Sequence, residues 1–224
     1  MKKIFSLFSD LALEVISPLV CHRCGSPIQH RKNISDHCVV CSLDWQAFHN
    51  DGASRVLFAE RFNSQWCAVG FRLKSSGTRE LVHRCKYSGK PHLLRELGGW
   101  IASRWPPPAS SIVLVPIPIH WRRGLKRGYN QAELLAEGLA SKWEVEIENK
   151  ALLRSSHKSS ITDASRKDRD VELRSAFELG ESENKKPIIL VDDVLTTGAT
   201  LRICRSILEE NGRTVLGAVV LALA

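Results

Sequence analysis

The second half of the chain alternates patterns of buried strands and amphipathic helices. Largely apolar runs at 111–117 and 187–191 are rich in β-branched residues and are typical of parallel strands buried on both faces. A last apolar run covers 214–223, and helical spacing of apolar residues appears at 131–142 and 199–210. This alternation predicts an α/β fold in which helices flank a parallel sheet.

The residues before this part predict a further strand and two helices. Residues 66–71 have a strand pattern, and a turn is predicted at 75–77. A helix is predicted at 78–87, with Thr78 near its N-cap. A second helix is predicted at 91–104, and three consecutive prolines end it. The polypeptide therefore contains strand and helix patterns from about residue 55 onward.

Three other segments complete the pattern. A short strand is predicted at 145–147. The basic stretch 121–127 and the polar stretch 154–175 show no clear periodicity, and both are predicted to be loops. Loops as long as the second one are uncommon inside compact domains and are usually functional or disordered.

The N-terminal 50 residues have a different character. Apolar residues recur at helical spacing over 3–16, and two acidic residues interrupt them, so we predict an amphipathic helix packed on the protein and no transmembrane segment. Residues 17–50 are rich in Cys, His, Asn and Ser, which indicates a small module held by a metal. We therefore predict two domains, an N-terminal helix with a four-cysteine module at 1–50 and an α/β domain at 51–224.

Composition narrows the class of protein. The chain has 224 residues, 43% of them hydrophobic and 25% charged, which is ordinary for a globular protein and argues against disorder or a coiled coil. The formal net charge of +8 favours anionic partners such as phosphorylated metabolites, nucleic acid or an acidic membrane surface. Seven cysteines, an odd number that includes two close pairs, indicate a metal site in a reducing cytoplasm rather than a disulfide framework.

The two cysteine pairs have the spacing of a metal site. Each pair, Cys21 with Cys24 and Cys38 with Cys41, is of the C-x-x-C type, and thirteen residues separate the pairs. Four thiolates suit closed tetrahedral zinc, which would stabilise the fold and leave no position for a substrate. An iron–sulfur cluster or a redox pair is the alternative.

The segment after the 187–191 strand carries the most specific chemistry. Two adjacent carboxylates, Asp192 and Asp193, stand at the carboxyl end of the predicted strand, where α/β sheets bind ligands. Small and hydroxyl residues follow and lead into a helix, an arrangement suited to phosphate. The two acids would repel a phosphate, so they indicate an additional partner: ribose hydroxyls, a divalent cation or both. The alternative is a strand-to-helix turn with an acidic N-cap.

A basic segment follows the 111–117 strand. It contains Arg122, Arg123, Lys126 and Arg127 and comes directly after a Val-Pro-Ile-Pro block. Positive side chains at this position favour contact with phosphate groups. The alternative is an exposed basic turn.

The segment 188–200 resembles the phosphoribosyl pyrophosphate (PRPP) motif of type I phosphoribosyltransferases. The order of the four cysteines, the segment 85–90, the Val-Pro-Ile-Pro block, residues 127–131 and this motif is similar to that of the ComF family of competence proteins. The family pairs a zinc ribbon with a phosphoribosyltransferase-like domain, and several members are linked to DNA uptake in natural transformation. The chain departs from the family at Ile161-Thr162 and at Glu172. These residues belong to the loop that folds over the ligand in the transferase fold. The departures therefore bear on catalytic competence more than on ligand binding.

The resemblance implies roles for individual residues. Asp192 and Asp193 would hold the ribose hydroxyls, with Mg²⁺ bridging the ribose and pyrophosphate, while Arg123 and Arg127 would neutralise the pyrophosphate. The remaining PRPP-binding residues would be Thr196, Thr197, Gly198, Ala199, Thr200, Ile117, Pro118 and Lys86.

Two functions follow from the resemblance. The chain is expected to be a cytoplasmic PRPP-binding protein that transfers phosphoribose to an unidentified acceptor. The alternative is a non-catalytic accessory protein that handles single-stranded DNA or senses PRPP. DNA-uptake proteins are further expected partners, and homo-oligomer formation is left open.

Overall fold

The structure is a computed structural model that describes residue 21 and residues 52–64, 66–73, 76–87, 91–154, 166–182 and 184–224. The predicted helix at 3–16 and the cysteine module lie outside these residues, with the exception of Cys21. Cys21 is buried, and its carbonyl accepts a hydrogen bond from Arg84 Nη1 at 3.4 Å.

Seven helices and seven strands make up the part of the chain that the structure describes. In chain order they are α1 (Gly52–Arg61), β1 (Trp66–Arg72), α2 (Ser76–Tyr87), α3 (Pro91–Arg104), β2 (Val113–Pro116), α4 (Trp121–Arg127), α5 (Gln131–Trp143), β3 (Glu146–Ile147), β4 (Leu152–Arg154), α6 (Arg166–Ser175), β5 (Phe177–Leu179), β6 (Ile188–Leu195), α7 (Ala199–Glu210) and β7 (Val215–Leu223).

Five strands form one parallel sheet in the order β1-β7-β6-β2-β3. The central strand β6 pairs with β2 on one side and β7 on the other, so its carboxyl end lies in the middle of one edge of the sheet. The predicted α/β fold with a parallel sheet is confirmed. Strands β4 and β5 form a separate antiparallel pair, which the sequence patterns did not predict.

The sheet is buried on both faces, and alternate residues of β6 show this. Ile189 and Val191 belong to an apolar cluster with α2, α3 and α5, whereas Ile188 and Leu190 belong to a second cluster with α1, α7 and β5. Burial on both faces is the reason that this strand is a continuous apolar run rather than an alternating one.

Two predicted loops contain helices. The basic stretch 121–127 is helix α4: the His120 side chain accepts from Arg122 N at its beginning, and Gly128 closes it in the left-handed conformation (φ 78°). The prediction missed these capping residues. In the predicted loop 154–175, residues 166–175 form helix α6, which contacts α7 and β5.

Smaller differences concern the ends of elements. Helix α2 begins at Ser76, so Thr78 lies in its first turn, and β6 continues to Leu195 instead of ending at Val191. Among the helices that the structure describes, none is long and apolar enough to cross a membrane.

Candidate functional site

The two acidic residues lie within the last part of β6. Asp192 pairs with Val220 of β7, and the pairing continues through Val194 and Leu195 before the chain turns at 196–198. The predicted loop 192–200 is therefore a strand end followed by a short turn. Because consecutive strand residues point to opposite faces, Asp192 and Asp193 direct their side chains differently although they are adjacent.

A cavity of about 160 Å³ opens at this edge of the sheet. Its walls come from the ends of α2, β2, α4, β4 and β6 and from the first turns of α5 and α7. The side chains and backbone that line it belong to Lys86, Ile117, Pro118, Ile119, Arg127, Asn130, Gln131, Ala132, Arg154, Asp192, Asp193, Val194 and Thr200.

Lys86 is the close cationic partner of the acidic pair among the residues that the structure describes. Lys86 Nζ lies 2.9 Å from Asp193 Oδ2, and both side chains are largely buried. Asp192 Oδ1 accepts from the backbone N–H of Asp193 at 2.8 Å. Burial and the neighbouring charge of Asp193 raise the pKa of Asp192 well above its usual value, although that backbone hydrogen bond and Lys86 oppose the shift. Hydrogen-bond donors or positive charge from a ligand would therefore favour the ionised form of the pair.

The threonine-rich turn lies beside the acids and forms a second, smaller cavity of about 30 Å³, which Asp192 also lines. Its other lining residues include Thr196, Thr197, Gly198, Ala199 and Thr200. The first N–H groups of α7 have no partner within the helix, so the beginning of this helix favours an anion next to the acidic pair.

Helix α1 holds this turn in place. Gly198 adopts the left-handed conformation (φ 79°) and packs directly against the carbonyl of Arg61. Arg202 donates to that same carbonyl and to Thr197 O, the latter at 2.9 Å. Arg61 in turn donates to Leu195 O at 3.3 Å. The position of the turn therefore depends on a helix that is distant in sequence.

The opposite wall is built by the segment that joins α4 and α5. Asn130 caps α5 by accepting from Ala132 N at 3.1 Å, and its amide donates to Ile117 O at 3.0 Å. Gln131 is buried, and its Oε1 accepts from Arg127 Nη1 at 3.0 Å. These bonds fix the exit of β2 against the first turn of α5.

The Gln131 side chain carries a donor that no described residue meets. Its Nε2 is buried and has no hydrogen-bond partner among the described residues. An unpaired buried amide group costs about 1–3 kcal/mol, so a residue of this kind at a cavity wall is a candidate for contact with a ligand.

Most of the predicted site residues converge. Lys86, Ile117, Pro118, Arg127, Asp192, Asp193 and Thr200 line the larger cavity, and the turn residues line the smaller one. The side chain of Arg123 lies outside the described residues, as do Cys24, Cys38 and Cys41. Asn130, Gln131 and Arg154 also line the cavity, although the sequence patterns gave them no role there. For Asn130 and Gln131 the available indication was their position, as two polar residues in succession, at the beginning of the predicted helix 131–142.

The three remaining cysteines are not candidates for chemistry. Burial raises the pKa of the Cys85 thiol to about 12, with a smaller opposing effect from Arg84. Burial also raises the pKa values of Cys67 and Cys204. All three remain neutral thiols near pH 7, as expected for core positions. Among the described residues, no group of three or more His, Cys, Asp or Glu side chains could hold a metal ion.

Comparisons with known proteins give partial matches. The chain is 37% identical over 102 residues to "Competence protein F" of Haemophilus influenzae. The aligned residues make up 44% of each of the two proteins. It is 31% identical over 140 residues to "Competence protein ComFC" of Bacillus subtilis, covering 60% of this chain and 55% of that one. It is 24% identical over 196 residues to "DNA utilization protein YhgH" of Escherichia coli, covering 86% and 79%. The match thus spans about half the length of the first two relatives.

Other comparisons add less. No family model matches the chain. A solved structure described as the allosteric regulatory enzyme of purine biosynthesis aligns with 58% of this chain and 25% of its own, at 17% identity and a TM-score of 0.37.

Proposed function

Because this chain is a member of the ComF family, we propose that it binds PRPP at the cavity beside Asp192 and Asp193 and serves DNA uptake or utilisation. The family resemblance noted in the sequence is confirmed. The names of the relatives refer to competence and to DNA utilization, which supports the biological context. The ligand is inferred from the site.

One observation carries the assignment of the ligand. The two carboxylates and the threonine-rich turn lie side by side at the carboxyl end of the central strand, with Lys86 and Arg127 at the same cavity. PRPP combines vicinal hydroxyl donors with a monophosphate and a pyrophosphate. The carboxylates match the hydroxyls, the turn matches the 5′-phosphate, and the cations match the pyrophosphate.

The electrostatics of the site fit an exchange of partners. Lys86 Nζ lies 2.9 Å from Asp193 Oδ2 and neutralises its charge. Ribose hydroxyls can donate to the carboxylates, which frees Lys86 to contact the pyrophosphate that enters the same cavity. Arg127, held by Gln131, is already oriented for a second contact. The preorganised cations would then stabilise negative charge as the pyrophosphate leaves.

Magnesium fits the donor chemistry of this cavity. Carboxylates and phosphate oxygens are the hard oxygen ligands that Mg²⁺ prefers, and Asp192 and Asp193 are the residues that would hold it together with the PRPP oxygens. When bound, the ion supplies charge neutralisation to the pyrophosphate.

Structural zinc at Cys21, Cys24, Cys38 and Cys41 stays a prediction. Metal analysis of the purified protein tests it: one zinc per chain, lost in a Cys38→Ser/Cys41→Ser variant, is expected. Iron with a visible charge-transfer band, or no metal, would contradict it.

Calorimetric titration of PRPP with Mg²⁺ tests the binding site. We expect the wild type to bind and an Asp192→Asn/Asp193→Asn variant to lose at least about tenfold in affinity, since each substitution removes charge-assisted hydrogen bonds. Glu137→Gln is the matched control, because this exposed carboxylate on α5 pairs with Arg95 away from the cavity. Absence of binding by folded wild type, or equal binding by the double variant, would refute the proposal.

Turnover requires a separate measurement. Transfer of phosphoribose to a nitrogen acceptor releases pyrophosphate, so pyrophosphate release in the presence of candidate bases identifies an enzyme. PRPP binding without release for any acceptor would identify the chain as a PRPP-sensing or accessory protein instead.

A further inference from the structure

Two exposed aromatic side chains are close in the chain to residues that line the cavity. Tyr87 is 56% exposed and Trp121 is 48% exposed. No other Phe, Tyr or Trp side chain that the structure describes is exposed to this degree. Trp66, Trp100, Trp105 and Trp143, by contrast, pack against the core. Among the described Phe, Tyr and Trp residues, exposure is therefore confined to these two positions.

Both rings are connected to the cavity wall. Tyr87 follows Lys86, which lines the cavity, and Trp121 begins helix α4 two residues after Ile119, which also lines it. Helix α4 ends at Arg127, whose guanidinium lies 5.3 Å from the centre of the Tyr87 ring and which itself lines the cavity. Arg127 thus links the two aromatic positions.

Each ring has cationic or imidazole neighbours. Arg122 lies 5.2 Å from the centre of the Trp121 ring, and the His120 ring lies 5.8 Å from it. The His83 ring lies 4.9 Å from that of Tyr87. Such neighbours orient the rings while leaving about half of each exposed.

The surrounding charge is positive. The sequence of α4 contains four basic residues and no acidic one, and Arg122 and Lys126 are exposed. Exposed rings next to basic side chains form the type of surface on which unpaired bases stack while phosphates meet cations. A duplex offers no free base face to such rings.

We propose that Tyr87, Trp121, Arg122 and Lys126 form a surface that binds single-stranded nucleic acid beside the PRPP cavity. Bases stack on the two rings, and phosphates contact Arg122 and Lys126. An anionic membrane is the competing partner for aromatic and basic residues. The seven-residue helix α4 exposes only Trp121 and Leu125 as large apolar side chains, an area that is small for insertion into a bilayer. This proposal does not require PRPP binding.

Fluorescence anisotropy of a labelled oligothymidylate with the full-length chain tests the surface. We expect a Tyr87→Ala/Trp121→Ala variant to bind at least about tenfold more weakly, because each stacked base contributes substantially to affinity. Lys126→Gln should weaken binding and lower the slope of log affinity against log salt by about 0.7. Lys142→Gln is the matched control, since this exposed lysine lies in the last turn of α5, whose first residue lines the cavity; it should change neither quantity.

Other outcomes would overturn the proposal. These are absence of binding by the wild type, unchanged binding by the folded aromatic variant, or equal affinity for duplex of the same length. Binding to phosphatidylserine vesicles that the aromatic variant loses, without oligonucleotide binding, would assign the surface to a membrane. The Asp192→Asn/Asp193→Asn variant should keep its oligonucleotide affinity, which separates this test from that of the PRPP site.

Discussion

Replacing Gly198 with alanine tests how the phosphate-binding turn is held. Gly198 has a φ of 79°, and a Cβ at this position would lie 2.1 Å from the carbonyl oxygen of Arg61 and 2.8 Å from Arg202 Nη1. The carbonyl is backbone at the end of α1 and cannot rotate away like a side chain. The turn or the end of α1 must therefore shift.

The size of the effect follows from two terms. A left-handed conformation costs a non-glycine residue about 1–2 kcal/mol, and relief of a backbone overlap typically costs about 1–3 kcal/mol more. Gly212→Ala isolates the first term, because Gly212 has a φ of 75° and nothing lies within 4 Å of the point that its Cβ would occupy. We expect Gly198→Ala to lower the free energy of unfolding by about 3 kcal/mol and Gly212→Ala by about 1 kcal/mol.

Urea unfolding of the two variants and the wild type measures this difference. The m values should stay equal, so that shifts in midpoint report stability. Gly198→Ala should also weaken PRPP binding, because the displaced turn is part of the smaller cavity. If the two variants agree within about 0.5 kcal/mol, an ordinary additivity error, contact with Arg61 does not hold the turn.

Three further predictions concern charge and capping. Asp192→Asn should stabilise the protein without PRPP at pH 7 and weaken PRPP binding. The raised native pKa of Asp192 makes the contribution of this group to stability fall as pH rises from about 4, so the free energies of unfolding of variant and wild type should converge toward pH 4. A difference that does not depend on pH would contradict this. Asn130→Ala should lower the free energy of unfolding, measured by heat or urea, by about 2 kcal/mol, because it removes both the α5 cap and the hydrogen bond to the Ile117 carbonyl. A loss below about 0.5 kcal/mol would show that these hydrogen bonds are dispensable. Glu148→Gln should lower the free energy of unfolding by about 2 kcal/mol, because it removes the charge that faces buried Arg213 at 2.9 Å. If the variant is as stable as the wild type in both low and high salt, the ion pair does not have that role.

Sequence patterns predicted the regular parts of the sheet and the acidic half of the cavity. The helix 91–104 agrees in both ends, and the helix 199–210 agrees as well. Asp192, Asp193 and the threonine turn were predicted because a buried strand, two acids and small hydroxyl residues are contiguous in the chain. Local sequence alone specifies such a unit.

Helices α4 and α6 show where the patterns failed. Both are short and highly charged, and apolar periodicity is weak in such segments. Helix α4 depends on capping by His120 and Gly128, and α6 contacts α7 and β5. Tertiary contact and caps, rather than a strong apolar stripe, stabilise helices of this kind.

The alternation of strands and helices, the paired carboxylates, the glycine turn and the excess of positive charge can be predicted from the chain, because each depends on neighbouring residues or on composition. Folding in three dimensions is what makes Lys86 face Asp193, makes Arg61 support Gly198, and brings Gln131 and Arg154 into the cavity with the acids. These contacts join residues far apart in the chain. Parallel strand order brings them together, since it places the ends of β2 and β6 at one edge of the sheet.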